Sequence, residues 1–139
     1  MQTEHTTELG TADSKILASE AVKILLEKKG LDVRMYDVRE SSSVTDFYVN
    51  ATGRSSTQVA ALADDVVELL GLRGADALRV EGRHGNSWLL VDYGNVIVNV
   101  FDKPSRDFYD FDRHLPKDSM VDISDLVAEV DAKFDLNRK

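Results

Sequence analysis

Apolar residues recur every three or four positions in two stretches of the chain, the spacing typical of an amphipathic helix. The first stretch covers residues 13–29, and Gly30 follows at the position where a left-handed residue commonly ends a helix. The second follows Ser55, a residue type suited to cap a helix, and ends at Gly71 or Gly74. We expect the buried faces of the two helices to carry Leu17, Ala21, Ile24, Leu25, Val59, Leu62, Ala63, Val66 and Leu70.

Five shorter stretches have the alternation and the β-branched content that are typical of strands. Pro104 is placed to begin a last helix that runs to about His114, so the element order is α-β-β-α-β-β-β-α. This order predicts an α/β (α+β) domain, a small mixed β-sheet of about five strands with helices packed mainly on one face. The predicted strands are 33–38, 47–51, 78–81, 87–92 and 96–101.

The two ends of the chain differ in composition from its centre. Residues 1–12 are rich in Thr and Glu and offer little to bury, which predicts a disordered lead-in. Pro116 stops the last predicted helix, so residues 13–115 form the predicted domain. Residues 116–139 form an acidic C-terminal extension with weak helical spacing, and we expect it to be untethered rather than folded over the sheet.

The most informative segment is a predicted hairpin, in which Tyr93-Gly94-Asn95 joins two strands. Successive side chains of a strand point to opposite faces, and either two-residue loop at this turn keeps the same side chains together. One face is entirely aliphatic and is expected to lie under the helices: Leu89, Val91, Val96, Val98 and Val100. The opposite face mixes large apolar groups with polar ones: Trp88, Leu90, Asp92, Ile97, Asn99 and Phe101.

The mixed face has two interpretations. It is similar to a protein-binding patch, because Trp is a favoured anchor residue at protein interfaces. Alternatively, Trp88 and Phe101 pack beneath the last helix or beneath the C-terminal extension. The pattern of the strands leaves both interpretations open.

Composition and net charge limit the kinds of partner and the cellular compartment that we expect for this chain. The 139 residues suffice for one domain with a core, and the absence of cysteine excludes disulfides and thiolate metal sites. A formal net charge of -8 disfavours non-specific attachment to nucleic acid and favours basic proteins as partners. No apolar run approaches the roughly 20 residues that span a bilayer, and Met1–Gly10 lacks the pattern of a signal peptide. We therefore expect a cytoplasmic protein.

The turn Thr52-Gly53-Arg54-Ser55-Ser56 lies between a strand and a helix, where backbone N–H groups can hold an anion. The spacing of a phosphate-binding loop or of a dinucleotide fingerprint is absent, however. Adjacent residues of a helix point about 100° apart, so Asp64 and Asp65 are poor co-ligands for a metal. A plain helix cap at Ser55 or Ser56 is the favoured interpretation of this turn.

The spacing of the three histidines does not predict a metal site. His5, His84 and His114 are far apart in sequence, and none has a second His or a carboxylate at the spacing of a metal site. The run Ser41–Ser43 matches no nucleophile motif and is typical of a turn. We therefore predict no catalytic residue, no metal and no cofactor, so the chain is not expected to be an enzyme.

Four segments, in this order, resemble the signatures of the ribosomal silencing factor (RsfS, or Iojap) family. Residues 42–49 (SSVTDFYV) and 51–59 (ATGRSSTQV) are similar to its two N-terminal signatures. Residues 88–101 (WLLVDYGNVIVNVF) are similar to its third and most specific signature, and 106–113 (RDFYDFDR) to its closing helix. Each motif is weak alone, but the four together identify the family; the region after Pro116 lies outside the pattern.

The resemblance implies a fold similar to nucleotidyltransferases without their catalytic carboxylates. It implies binding to ribosomal protein L-fourteen on the large (50S) subunit, which would sterically block subunit association and repress translation in starvation. It also implies a role in large-subunit biogenesis. The chain departs from the family at Asn99, where relatives usually carry His, and at Asn95, where they carry Asp. Asn99 offers a donor and an acceptor but cannot become a cation.

We hypothesise that the mixed hairpin face, extended by Tyr109, is the docking surface. Trp88 is its predicted central anchor, and the other predicted partner-binding residues are Leu90, Asp92, Ile97, Asn99 and Tyr109. The carboxylates of Asp92, Asp102 and Asp107 are expected to meet basic side chains of the partner. Two alternatives remain: a nucleotide-binding enzyme that uses the turn at residues 52–56, and a non-ribosomal interaction module, such as a homodimer formed through the same face.

Overall fold

The computed structural model of the chain describes residues 9, 12–83 and 85–137. Its strands are β1 (Leu31–Asp37), β2 (Phe47–Gly53), β3 (Arg79–Arg83), β4 (Trp88–Asp92), β5 (Val96–Asp102) and β6 (Met120–Val121). Its helices are α1 (Ser14–Glu27), α2 (Ser56–Gly71), α3 (Lys103–Tyr109) and α4 (Ser124–Asn137), with short 3-10 turns at Gly85–Ser87 and Phe111–His114.

The strands form one mixed sheet in the order β3-β4-β5-β2-β1-β6. The central pair β2 and β5 is parallel, and the other neighbours are antiparallel. The predicted mixed α/β fold is therefore confirmed. The described residues contain six strands rather than about five, because β6 belongs to the extension beyond residue 115.

Helices α1 and α2 cover one face of the sheet and enclose the main core, as the apolar spacing predicts. The last helix, α4, packs against α1 on this side. The opposite face is covered only in part, by α3 and the 3-10 turn that follows it, which lie over β5 and β2. One face of the hairpin β4–β5 thus lies in the main core. The other face is covered by α3 only in part.

The strand-to-helix turn before α2 is held by its own side chains. The Ser55 hydroxyl accepts a hydrogen bond from the Gln58 N–H at 3.1 Å, and the Gln58 side chain accepts one from the Arg54 N–H at 2.6 Å. This reciprocal cap confirms the interpretation of Ser55 as a helix cap. Gly53 is required at this point, because a Cβ atom there would lie 2.8 Å from the Val59 nitrogen.

The end of α1 corrects one prediction. The left-handed residue is Lys29, with φ of 70°, and not Gly30. Gly30 has a different reason to be glycine: its N–H donates to the Leu25 carbonyl at 2.8 Å, and an added Cβ would lie 3.0 Å from that oxygen. The glycine therefore serves close approach to the helix end rather than positive φ.

The predicted last helix is in fact two short segments. Asp110 adopts a left-handed conformation with φ of 52°, and its N–H donates to the Arg106 carbonyl, which ends α3. The 3-10 turn that follows directs Phe111 and Asp112 back towards the sheet. A continuous helix as far as His114 was predicted because helical spacing alone does not reveal a break at an aspartate.

The C-terminal extension packs against the rest of the domain. Residues 120 and 121 pair with β1, and α4 is tied to α1 by ion pairs from Lys23 to Glu129 at 2.9 Å and from Lys133 to Glu27 at 2.7 Å. The expectation of an untethered extension is therefore wrong. In the predicted lead-in, Leu9 is buried, whereas residues 1–8, 10 and 11 lie outside the described part.

Tyr93, in the hairpin turn, offers a test of the fold at alkaline pH. Its hydroxyl is buried without a hydrogen-bond partner among the described residues, and burial, with a smaller effect from Asp76, raises the pKa of Tyr93 from 10.0 to about 12. The unfolded chain therefore releases this proton first, so the free energy of unfolding falls as pH rises from about 10 to 12.

We expect the Tyr93→Phe variant to lose less stability over this interval than the unmodified protein, as measured by urea unfolding at a series of pH values. At neutral pH the variant should be at least as stable, because an unsatisfied buried hydroxyl is removed. A difference between the two proteins that stays constant from pH 9 to 12 would contradict the assignment. Burial also raises the pKa values of Tyr36 and Tyr48. Both residues are present in the variant and in the unmodified protein, so their effect on the pH dependence of stability cancels in the comparison.

Candidate protein-binding surface

The side-chain partition predicted for the hairpin is confirmed. Strand pairing places on one face the partners Trp88 and Phe101, Leu90 and Asn99, and Asp92 and Ile97. The aliphatic residues of the other face lie in or against the core beneath the helices: Leu89, Val91, Val96, Val98 and Val100.

Aromatic rings gather on the mixed face and form what we call the aromatic cluster: Trp88, Phe101, Tyr109, Phe111 and Tyr48. The ring centroid of Trp88 lies 4.8 Å from that of Phe101 and 5.0 Å from that of Tyr109. Tyr48 meets Phe111 edge to face at 5.1 Å, and burial, followed by the charge of Asp92, raises the pKa of Tyr48 above its usual value. Phe101 is fully buried, whereas the other four rings are partly exposed.

Beneath these rings runs a line of hydrogen-bonded polar groups, which we call the polar row. The Trp88 indole N–H donates to Asn99 Oδ1 at 3.0 Å, and Asn99 Nδ2 donates to Asn50 Oδ1 at 3.1 Å. Asn50 Nδ2 in turn donates to Asp112 Oδ1 at 2.5 Å. Asn50 and Asn99 are both completely buried and are register partners on the parallel strands β2 and β5.

The row ends at a buried cation. Arg106, only 7% exposed, donates to Asp112 Oδ2 from Nη2 at 2.6 Å and from Nε at 3.2 Å. Its Nη1 donates to the Asp32 carbonyl at 2.8 Å and to the Thr52 hydroxyl at 2.9 Å. Asp32 has φ of 47° at the irregular start of β1, which presents that carbonyl. These bonds hold α3 and the following turn against the sheet.

The predicted partner-binding residues divide into two groups. Four of them are partly exposed: Trp88, Leu90, Asp92 and Tyr109. Ile97 is 7% exposed and Asn99 is fully buried, so direct contact of these two residues with a partner is not available in this structure. Both predictions rested on the alternation of side chains along a strand. This alternation shows on which face of the sheet a residue lies, but not whether other parts of the chain cover it.

The three carboxylates expected to meet a basic partner already have partners within the chain. Asp92 accepts from the Gly94 N–H at 2.7 Å and pairs with Arg79 at 3.1 Å. Asp102 caps α3 by accepting from the Ser105 N–H, and Asp107 pairs with Lys103 at 2.7 Å. Of the three, Asp107 is the most exposed, at 62%.

Phe108 is the main surface residue that the sequence analysis missed. It is 80% exposed on α3, and its ring contacts that of Tyr109 at a centroid distance of 5.0 Å. A signal was present in the sequence: adjacent residues of a helix point about 100° apart, so Phe108 and Tyr109 cannot both face the sheet. An apolar surface therefore extends from the partly exposed Trp88 and Leu90 across Tyr109 to the exposed Phe108.

Other kinds of site find no support in the described part of the chain. No group of three or more His, Asp or Glu side chains is arranged there to hold a metal ion. None of the described helices is long and apolar enough to cross a membrane. In the turn at residues 52–56, the side chains of Ser55 and Gln58 form the helix cap.

Comparison with known proteins gives consistent matches. A family model described as "Ribosomal silencing factor during starvation" matches residues 11–137, so the match extends past residue 113, where the last of the four motifs ends. A relative from Haemophilus influenzae named ribosomal silencing factor RsfS is 35% identical over 85 residues, which are 61% of this chain and 83% of that protein.

Two further matches broaden the comparison. A mouse protein named "Mitochondrial assembly of ribosomal large subunit protein 1" is 23% identical over 95 residues, 66% of this chain and 42% of that protein. A crystal structure of a Chromobacterium violaceum protein superposes with a TM-score of 0.71 at 30% identity. It covers 81% of this chain and 97% of that one.

Proposed function

Because the chain belongs to the family of ribosomal silencing factors, we propose that it binds the large ribosomal subunit and sterically blocks its association with the small subunit. The observation that carries the proposal is the apolar surface formed by three partly exposed residues and the exposed Phe108, which we call the docking surface: Trp88, Leu90, Tyr109 and Phe108. Aromatic groups of this kind are the usual anchors of protein interfaces. The proposed outcome is repression of translation during starvation, which agrees with the family description, "Ribosomal silencing factor during starvation".

The partner we propose is ribosomal protein L-fourteen, contacted directly by the docking surface. A net charge of -8 suits encounter with a basic ribosomal protein better than with RNA. Asp107 and Asp110, at the end of α3, have side chains that are 62% and 47% exposed and lie close to Phe108 in sequence. They are better placed to meet cations of a partner than Asp92, which is 15% exposed.

The proposed mechanism is occupation of a surface, so it requires no catalytic residue, metal or cofactor. Activity at the ribosome would place the protein in the cytoplasm. The name of the mouse relative supports an additional role in large-subunit assembly, which we include in the proposal. Ile97 and Asn99 then support the docking surface from beneath rather than contact the partner.

The direct test mixes the purified protein with separated ribosomal subunits and follows their joining by light scattering. We expect joining to be inhibited in proportion to the amount of protein added, and the protein to co-sediment with large subunits alone. Unchanged joining at excess protein would refute the proposal. A protein that sediments as a dimer and ignores both subunits would favour the homodimer alternative.

A further inference from the structure

Trp88 is held by two different kinds of contact. Its ring packs against Phe101 and Tyr109, contacts that are apolar and tolerate sliding. Its indole N–H donates to Asn99 Oδ1 at 3.0 Å, and this bond has a direction, because the indole nitrogen only donates. The bond therefore selects which edge of the ring points inward and which edge is left for a partner.

The hydrogen bond to Trp88 requires that Asn99 present its oxygen and not its nitrogen. An amide offers both, and the two orientations have nearly the same shape. In the polar row, Asn99 Nδ2 donates to Asn50 Oδ1, and Asn50 Nδ2 donates to Asp112. Each amide orientation is thus determined by the next group along the row.

Asp112 determines the direction in which hydrogen bonds are donated along the polar row. A carboxylate only accepts, so Asn50 must turn its nitrogen towards Asp112 and its oxygen towards Asn99. Asn99 must then turn its nitrogen towards Asn50 and its oxygen towards Trp88. Reversal of the row would place the amide N–H₂ of Asn99, a completely buried residue, against the indole N–H, so that two donors would face each other.

We propose that Asp112 is a positioning residue that acts through Asn50 and Asn99 to fix the orientation of Trp88 for docking. Arg106 completes the arrangement, because its bidentate contact fixes the Asp112 carboxylate against the sheet. The consequence for ribosome binding rests on the proposed function. The orientation of Trp88 itself does not, so the two parts are tested separately.

The chain contains one tryptophan, so Trp88 gives a single indole N–H cross-peak in a ¹H–¹⁵N correlation spectrum. We expect the unmodified protein to show one sharp peak with slow hydrogen exchange. In Asp112→Asn, which keeps the shape but adds a donor, the peak is expected to shift or double and its exchange to accelerate at least tenfold. Asn50→Leu is expected to change the indole peak and its exchange in the same way, although Asn50 does not bond to Trp88. This second variant provides the test if Asp112→Asn does not fold.

Thr52→Val is the matched control. It removes a hydrogen bond from Arg106 at a buried position but leaves every bond of the polar row in place. We expect it to lower the unfolding midpoint while leaving the indole peak and its exchange rate unchanged. An indole peak that is unaltered in folded Asp112→Asn and Asn50→Leu, or altered equally in Thr52→Val, would overturn the proposal.

Binding is read in the same variants by co-sedimentation with large subunits. The loss of one oriented hydrogen bond at the anchor is expected to weaken binding about three- to tenfold in Asp112→Asn, and not at all in Thr52→Val. Failure of the unmodified protein to bind large subunits would refute the proposed function, while the indole peak would still decide the positioning role. An altered indole peak with full binding would overturn the inference that orientation matters for docking.

Discussion

Asp112→Leu is expected to lower the free energy of unfolding by about 3–5 kcal/mol, the range for breaking one side of a buried ion pair. The substitution leaves the Arg106 guanidinium, 7% exposed, without the carboxylate that accepts two of its hydrogen bonds. The nearest other carboxylate is that of Asp32, at 3.8 Å and half exposed, so it compensates little. Urea unfolding at neutral pH measures the loss.

Removing the other partner of the ion pair, in Arg106→Met, is expected to lower the free energy of unfolding by less than Asp112→Leu does. Arg106→Met leaves the Asp112 carboxylate behind, and this side chain is 16% exposed and still accepts from Asn50. The double variant Arg106→Met, Asp112→Leu should lose less stability than the sum of the two single variants, because neither charge remains buried alone. Equal losses in the two single variants together with simple additivity would show that the pair does not act as a buried ion pair.

Trp88→Ala is expected to weaken binding to isolated large subunits by about 2 kcal/mol or more, or about thirtyfold, because the side chain is the central anchor of the docking surface. Co-sedimentation over a range of subunit concentrations measures the change. Most of the loss should appear as faster dissociation, since truncating an anchor changes contacts rather than encounter.

Leu72→Ala provides a matched control for this prediction. Leu72 directly follows α2 on the helical side of the sheet and is 75% exposed, so its truncation removes exposed apolar surface away from the docking surface. We expect it to bind as the unmodified protein does. Binding that is unchanged in Trp88→Ala, or reduced equally in Leu72→Ala, would remove Trp88 from the proposed interface.

Several features that depend on neighbouring residues were predicted correctly from the sequence, although the left-handed ends of α1 and α3 were not. The partition of the hairpin follows from the alternation of side chains along a strand, so it needs no knowledge of the rest of the fold. The helix cap at Ser55 is likewise set within three residues, through Gln58. The two amphipathic helices were found because their buried faces repeat with the helical period.

Features that depend on distant parts of the chain were not predictable in this way. Asn50 and Asn99 are 49 positions apart and meet only because β2 and β5 are parallel neighbours, a pairing that no local pattern states. The burial of Asn99 also depends on the break at Asp110, which brings the 3-10 turn over the sheet. The C-terminal extension was wrongly predicted to be untethered, because its weak apolar spacing does not indicate the ion pairs that join α4 to α1.

The parallel pairing of β2 with β5 has a consequence for how the chain acquires its structure during synthesis. The inner edge of β2 has no partner until β5 has been made, and β1 waits longer still for β6. Contacts between such distant segments slow folding, because loop closure precedes the contacts that stabilise it. The nascent chain therefore carries an open edge at β2 until β5 has been made, and the docking surface, which needs both β5 and α3, cannot form before that point.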